Sequence, residues 1–188
     1  MKALGIDGAD RIALRPLEEN DFTEDYLAWF RDPEVTRFLE ARDISREEAA
    51  AHLRAGEGGR RWALYAICLR ADGRHIGNLK IGPIDWRHRV SDLVTVIGDR
   101  GAWGQGHARA AIGAGIQIAF DELNLRKLSA SIDSRNLASI RAYEAAGFTV
   151  EATLPDQFME VSGGGAVLSD KVYVGCFNTA FDASSLGG

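Results

Sequence analysis

The stretch "DRGAWGQGHARAAIGAGIQIAF", Asp99 to Phe120, constrains the fold more than any other part of the chain. Gly101, Gly104 and Gly106 punctuate its start. From Ala108 the small or apolar positions are Ala108, Ala111, Ile112, Gly115, Ile116, Ala119, Phe120 and Leu123. Steps of three and four residues predict a helix with one apolar stripe. Gly113 and Gly115 each cost about 1 kcal/mol against alanine in a helix interior. A helix that carries both is expected where its axis must lie close to a sheet. The preceding "VSDLVTVIG" reads as a strand, so the glycine turn joins a strand to a helix. The first amides of a helix lack intrahelical partners and, with the helix dipole, favour an anion such as a phosphate.

Two common owners of such a turn are excluded by residue type. A triphosphate loop needs Gly, four residues, then Gly-Lys-Ser/Thr, and no Lys-Ser or Lys-Thr pair follows these glycines. A dinucleotide turn needs G-x-G-x-x-G. Gly104 and Gly106 supply its first half, but the third glycine position holds Arg109. No acidic residue stands about 20 residues on to hold a ribose, where the chain reads "LNLRKLSASI". What remains is G-x-x-G-x-G, with the amides of Gln105, Gly106, His107, Ala108 and Arg109 free to wrap a pyrophosphate, or a tight turn with no ligand.

Around this stretch the chain reads as a mixed α/β sheet. "RIALRPL" is a first strand, followed by a helix through "FTEDYLAWF" that Asn20 or Asp21 can cap. "EVTRFLE" is a short helical piece, and "ISREEAAAHLRA" is a helix with a capping box at Ser45 and Glu48. "WALYAICL", "RHIGNLKIGPI" and "VSDLVTVIG" form an antiparallel meander with short turns. After the glycine turn and its helix come the strand "RKLSASI", the helix "NLASIRAYEAAGF", and final strands "TVEATL" and "DKVYVGCF". "PDQFMEVSGGGAV" reads as a long connection between those last two, bordering a site. A meander in front of a βαβα unit is the predicted order.

At 188 residues and 46% hydrophobic content, the chain can bury one good core. One domain over residues 1–188 is expected, its core spanning about 10 to 178. A net charge of −5 with mixed signs argues against nucleic acid as a partner. No stretch reaches the roughly 18 consecutive apolar residues of a membrane span. The opening "MKALGIDGADRIALRPLEE" has no apolar run of the kind a secretion signal needs. Cys68 and Cys176 sit in apolar runs and read as reduced thiols. Cytoplasm is the expected compartment. No His, Cys or Asp spacing suggests a metal.

The second helix adds chemistry. Asn136, Ser139 and Tyr143 stand at i, i+3 and i+7, so their polar groups share a face. Leu137, Ile140 and the stem of Arg141 are expected to face the core. Asn136 is a natural N-cap and Gly147 a natural stop.

With these blocks in view, the chain resembles the Gcn5-related N-acetyltransferase (GNAT) superfamily, and within it the ribosomal-protein-alanine acetyltransferase-like branch. The similarity is carried by "LRPLEENDF" with Trp29 and "DPEV", by "IGNLKIGPIDWRHRVSDLVTVIGDRGAWGQGHA", and by "LNLRKLSASIDSRNLASIRAYEAAGF". "HIGNLKIGPIDWRHR" is also similar to acetyltransferases acting on nucleotide-linked amino sugars. The resemblance implies an α+β fold: a mostly antiparallel twisted sheet of about seven strands flanked by helices. It implies acetyl-CoA as co-substrate, with no metal, and an amine acceptor. A small amine or nucleotide-linked amino sugar is favoured over a protein N-terminus. A monomer or homodimer is expected. A CoA-binding module without catalysis is the alternative from another class.

The resemblance also implies roles. Gly104, Gln105, Gly106, His107, Ala108 and Arg109 would cradle the CoA pyrophosphate, with Asn136, Ser139 and Tyr143 nearby. Gly101 stands where the family usually has Gln or Arg, and Arg100 is one place early, still within reach of a phosphate. The fourth strand would supply an N–H near Val94 to Val96 for the developing oxyanion. Val96, Ile97 and Gly98 would pair with the pantetheine arm. Tyr143 would protonate the leaving thiolate. An alkylammonium has a pKa near 10, so the acceptor must lose a proton before attack. Asp92 is the first candidate for that base and His88 the second, with water as a further relay. Asn78, Asp85 and His88 would contact the acceptor.

Overall fold

The computed structural model describes residues 11–162 and 165–182. The reading of the N-terminal segment therefore lies largely outside the described residues. Seven strands form one sheet in the order β1-β2-β3-β4-β5-β7-β6. They are β1 (Ile12–Pro16), β2 (Ala63–Leu69), β3 (His75–Asp85), β4 (Val90–Ile97), β5 (Lys127–Asp133), β6 (Thr149–Ser162) and β7 (Gly165–Phe177). The helices are α1 (Glu24–Arg31), α2 (Pro33–Thr36), α3 (Arg46–Ala55), α4 (His107–Gln117) and α5 (Leu137–Ala145). All neighbouring strands run antiparallel except β4 and β5. The expected mostly antiparallel sheet with helical flanks is present.

Local chemistry sets the helix ends. The Ser45 hydroxyl accepts from Glu48 N while Glu48 returns the bond to Ser45 N at 2.8 Å, the predicted capping box. Asn136 Oδ1 accepts from Ser139 N at 3.2 Å and starts α5. The start of α1 differs from expectation. Thr23, with Oγ1 3.2 Å from Tyr26 N, is the cap, and not Asn20 or Asp21. Asp21 is instead committed to Glu18 N and to the Arg15 guanidinium, which holds its carboxyl below the ordinary range despite burial.

Two apolar layers cover the sheet. On one face α1 and α3 enclose Phe22, Tyr26, Leu27 and Phe30 with Ala66 and Cys68 of β2. On the other, α4 lies on Leu79, Ile81 and Leu93 through Ala110, Ala111, Ile112 and Ile116. The close approach expected of α4 is seen at Gly115. A Cβ there would stand 2.8 Å from the methyls of both Leu79 and Leu93, which have no exposed surface. The helix continues past Gln117 through a wider turn, Ile118–Glu122, in which Leu123 N bonds to Ile118 O.

Two expectations are corrected. "PDQFMEVSGGGAV" does not form a long loop. Its described residues extend β6 and begin β7, making a long antiparallel hairpin in which Met159 faces Leu168. Pro155 and Asp156 suggested a break, yet a register shift between Leu154 and Phe158 absorbs them. Asp156 adopts φ 55° there, and its N–H bonds to Asp170 Oδ1 at 3.2 Å. Second, Leu137 is 56% exposed and does not face the core. Tyr143 takes that place at 4% exposure, because its ring packs edge-on against Phe148 at 5.0 Å.

Replacing Gly115 by valine should lower stability by about 2 kcal/mol, since overpacking a filled core costs about 1–3 kcal/mol. Urea unfolding would show the midpoint falling with an unchanged slope. An unchanged midpoint would mean that α4 can shift away from Leu79 and Leu93 without loss.

Candidate active site

The sheet splits in its middle. β4 and β5 pair only at Val90, Ser91 and Asp92, opposite Lys127, Leu128 and Ser129. Beyond Asp92 the strands part. On its other side β4 stays paired with β3 up to Ile97, and Gly98 N bonds to Ile76 O at 2.9 Å. Main-chain groups alternate sides along an antiparallel strand. Those of Val94, Val96 and Gly98 therefore face β3, and those of Leu93, Thr95 and Ile97 face the split. Two side-chain bonds on the odd residues agree. The Tyr143 hydroxyl donates to Leu93 O at 2.7 Å, and Trp103 Nε1 donates to Ile97 O at 2.8 Å.

This alternation corrects the assignment of main-chain contacts to Val96 and Gly98, which bond across to β3. Of the three expected pairing residues, Ile97 turns its N–H to the split. Within the expected Val94-to-Val96 window, the N–H that faces the split is that of Thr95.

Tyr143 reaches this split from α5. Burial pushes its phenol well above the ordinary tyrosine value, and the Asp92 charge adds to the rise. Thr95, through its hydroxyl and its N–H, acts in the other direction. Thr95 Oγ1 is itself buried without a hydrogen-bond partner. At neutral pH Tyr143 is a protonated donor directed into the opening between the strands.

Asp92 lies on the sheet face opposite α4, together with Asn78, Lys80, Val94 and Val96. Its surface stays open to solvent, yet the surrounding atoms remove enough water to raise its carboxyl above the ordinary range. Lys80 and Lys171 oppose that rise without cancelling it. The two expected catalytic groups thus flank the same strand, one in the split and one on the open face beside it.

The glycine turn follows the C-terminal end of β4, where β4 and β5 no longer pair. Gly104 and Gly106 have φ of 73° and 81°, a conformation that favours glycine, and an added Cβ would meet nothing within 4 Å at either. The turn is open above its backbone. The first bond of α4 runs from Ala110 N to Gly106 O, so the amides of His107, Ala108 and Arg109 point out of the helix start without intrahelical partners.

Residues 11–149 match the acetyltransferase (GNAT) domain family. The chain belongs to the GNAT family. It is an acetyltransferase by that membership. An uncharacterized protein of Bacillus subtilis, YkkB, is 28% identical over 147 residues, covering 77% of this chain and 86% of that one. A spermidine N(1)-acetyltransferase of Escherichia coli is 27% identical over 162 residues, covering 81% of each. The crystal structure of a spermidine N-acetyltransferase from Vibrio cholerae, solved with CoA and spermine, shares the fold with a TM-score of 0.78. It does so at 19% identity, over 91% of this chain and 98% of that one. These matches are to the GNAT family at large and do not single out the ribosomal-protein-alanine branch.

Against the GNAT pattern, the side chains of the turn are placed as follows. Gln105 Nε2 donates to Gly101 O at 2.8 Å and braces the turn where Gln or Arg is usual at position 101. Arg100 is exposed, 3.4 Å from Asp32 and over the Trp103 ring. Arg109 Nε donates to Ala145 O at 3.1 Å and ties α4 to the end of α5. His107 is buried, its Nδ1 without a partner, and burial together with the Arg11 and Arg74 charges keeps its pKa low. Asn136 is occupied as a cap, with Ser139 half-buried behind it.

On the acceptor side the expected residues divide. Asn78 lies on the face of Asp92, its Oδ1 3.0 Å from His75 Nε2. Asp85, the last residue of β3, pairs opposite Val90 and so falls on that face by register, and its Oδ1 accepts from His88 N at 2.8 Å. His88 itself stands in the exposed turn between β3 and β4. The sequence reading missed Lys80 and Lys171. A lysine inside the apolar strand "IGNLKIGPI" was the available signal for Lys80.

The Asp92 shift has a thermodynamic sign. A carboxyl whose folded-state pKa is raised adds stability in acid and loses it as pH rises through that pKa. Asp92→Asn should therefore raise the melting temperature at neutral pH. The gain should fade below the unfolded value of about 3.9. Thermal melts across that range check it, and a destabilised variant at neutral pH would contradict a desolvated Asp92.

Proposed function

We propose that the chain transfers the acetyl group of acetyl-CoA directly to the amine of a small molecule, in the cytoplasm. The observation that carries the reading is the split between β4 and β5, with the Tyr143 hydroxyl inside it and the open glycine turn at its end. The residues present suit the co-substrate. The amides at the start of α4 are oriented for a pyrophosphate, and the Thr95 and Ile97 groups in the split are matched in type to the amides of a pantetheine arm. Buried unpaired backbone is costly, so a ligand amide there would satisfy groups that the sheet leaves open. The E. coli relative named for spermidine supports a small amine as acceptor, and Cys68 and Cys176, both free thiols, suit a reducing compartment.

Each residue then has a task. Asp92, beside the split, would take a proton from the acceptor ammonium. The Thr95 N–H would face the oxygen where charge develops. Tyr143, kept protonated by burial, would donate to the leaving sulfur. A thiol pKa near 8.5 makes that sulfur a moderate leaving group, and a donor hydrogen bond lowers its barrier. The transfer needs no covalent intermediate on the chain.

Free thiol release with acetyl-CoA and a panel of amines tests the activity. Tyr143→Phe should reduce kcat by about 10²-fold, the lower end of general acid–base effects, while CoA still binds. Acetyl-CoA should raise the melting temperature and NAD should leave it unchanged, because only a ligand of the folded state stabilises it. CoA binding with no amine acetylated would favour a non-catalytic module.

A further inference from the structure

On the acceptor face around Asp92 two lysines are held in an unusual way. Lys80 stands opposite Val94 in the β3–β4 register, so its side chain shares the face of Asp92. Its Nζ lies 4.6 Å from the Trp62 ring centroid and 3.5 Å from His52 Nε2. His52 stacks on the same Trp62 ring at 5.0 Å and 18°. Lys171, opposite Asp133 on β7, places Nζ 5.6 Å from the Phe158 ring and 5.3 Å from that of Tyr173. Both ammonium groups rest on aromatic faces. Among the described residues neither has a carboxylate within salt-bridge distance.

The neighbouring acids are already engaged. Asp133 is held by Arg135 and Ser169, Glu160 by Arg135, and Glu151 by Lys127. Asp92 is left to face both lysines at once, and both act on it. Lys80 is half-buried, and loss of water pushes its ammonium down from the ordinary value. Burying a cation without a partner is unfavourable. Anionic oxygens between Lys80 and Lys171 would remove that cost, through charge-assisted hydrogen bonds of the stronger kind. A polycation placed there would meet two like charges.

We infer that the acceptor amine carries a second, anionic group, a phosphate or a carboxylate, which Lys80 and Lys171 hold while its amine faces Asp92. This rests on the proposed acetyl transfer and names its substrate class. Trp62 and His52 form a stacked aromatic wall beside the same lysine, which suits a ring or short carbon chain between the two groups.

Matched amines test it in two arms: glucosamine against glucosamine 6-phosphate, and β-alanine amide against β-alanine, with spermidine as the polycation. Binding of each is measured by calorimetry on the full chain with CoA present, and turnover by thiol release. The anionic member of at least one pair should bind about tenfold more tightly, or about 1.4 kcal/mol. The arm that responds distinguishes phosphate from carboxylate. Lys80→Gln and Lys171→Gln should each erode that preference, with CoA binding as the control for folding. Equal binding within both pairs, tighter binding of spermidine, or a preference indifferent to both lysines would overturn the inference. Lysine-dependent binding of the anionic member without thiol release would leave the anion site standing and sink the catalytic reading instead.

Discussion

The parting of β4 from β5 beyond Asp92 is the constraint on which the rest of the site depends. A sheet that opens in its middle exposes backbone donors and acceptors where a neighbouring strand should pair with them, and such groups are costly to leave unmatched. Here one of them, Leu93 O, is met by the Tyr143 hydroxyl at 2.7 Å. That bond holds only if α5 is fixed, and the fold fixes it twice: Asn136 caps its start, and Arg109 reaches from α4 to Ala145 O at its end. The α4 helix is in turn pressed against Leu79 and Leu93 by the missing side chain of Gly115. The glycine turn, the split and the phenol are therefore one mechanical unit.

The electrostatics follow from that geometry. On one side of β4 a buried phenol is kept protonated. On the other, an aspartate keeps contact with water but loses enough of it to raise its affinity for a proton. Two titratable groups in different environments beside the same strand are what acid and base chemistry need from a single fold. Lys80 and Lys171, resting on aromatic faces, both act on the Asp92 carboxyl. The turn contributes through backbone, so the replacement of the usual Gln or Arg by Gly101 leaves its amides in place, with Gln105 bracing the loop.

Much of this was legible where the physics is local. Ser45 with Glu48, Asn136 as a cap, and Gly147 as a stop act over three or four residues. The stripe from Ala108 announced a helix against a sheet, and Gly115 delivers that contact. Asp92 was marked by the family resemblance, and it alternates with Val90 and Val94 along β4. The failures share a cause. Asp21 was a plausible cap, but Arg15, six residues earlier, claims its carboxylate. Pro155 and Asp156 read as the end of a strand, yet pairing with β7 carries β6 through them. Leu137 is exposed where a core contact was expected, while Tyr143 is buried, its ring on Phe148 and its hydroxyl on Leu93 O fifty residues away.

The sequence alone determined the order of elements, the glycine turn with its free amides, and the residue types able to accept and donate protons. These follow from spacing, capping and backbone freedom, which operate between near neighbours. Only the tertiary structure decided where β4 leaves β5, which main-chain groups face that opening, and which charges surround Asp92. Those depend on strand register and on side chains brought together from β3, β4, β7, α3 and α5, and no local pattern specifies them. Lys80 and Lys171 are ninety-one positions apart in the chain, and only the sheet brings both charges to bear on Asp92.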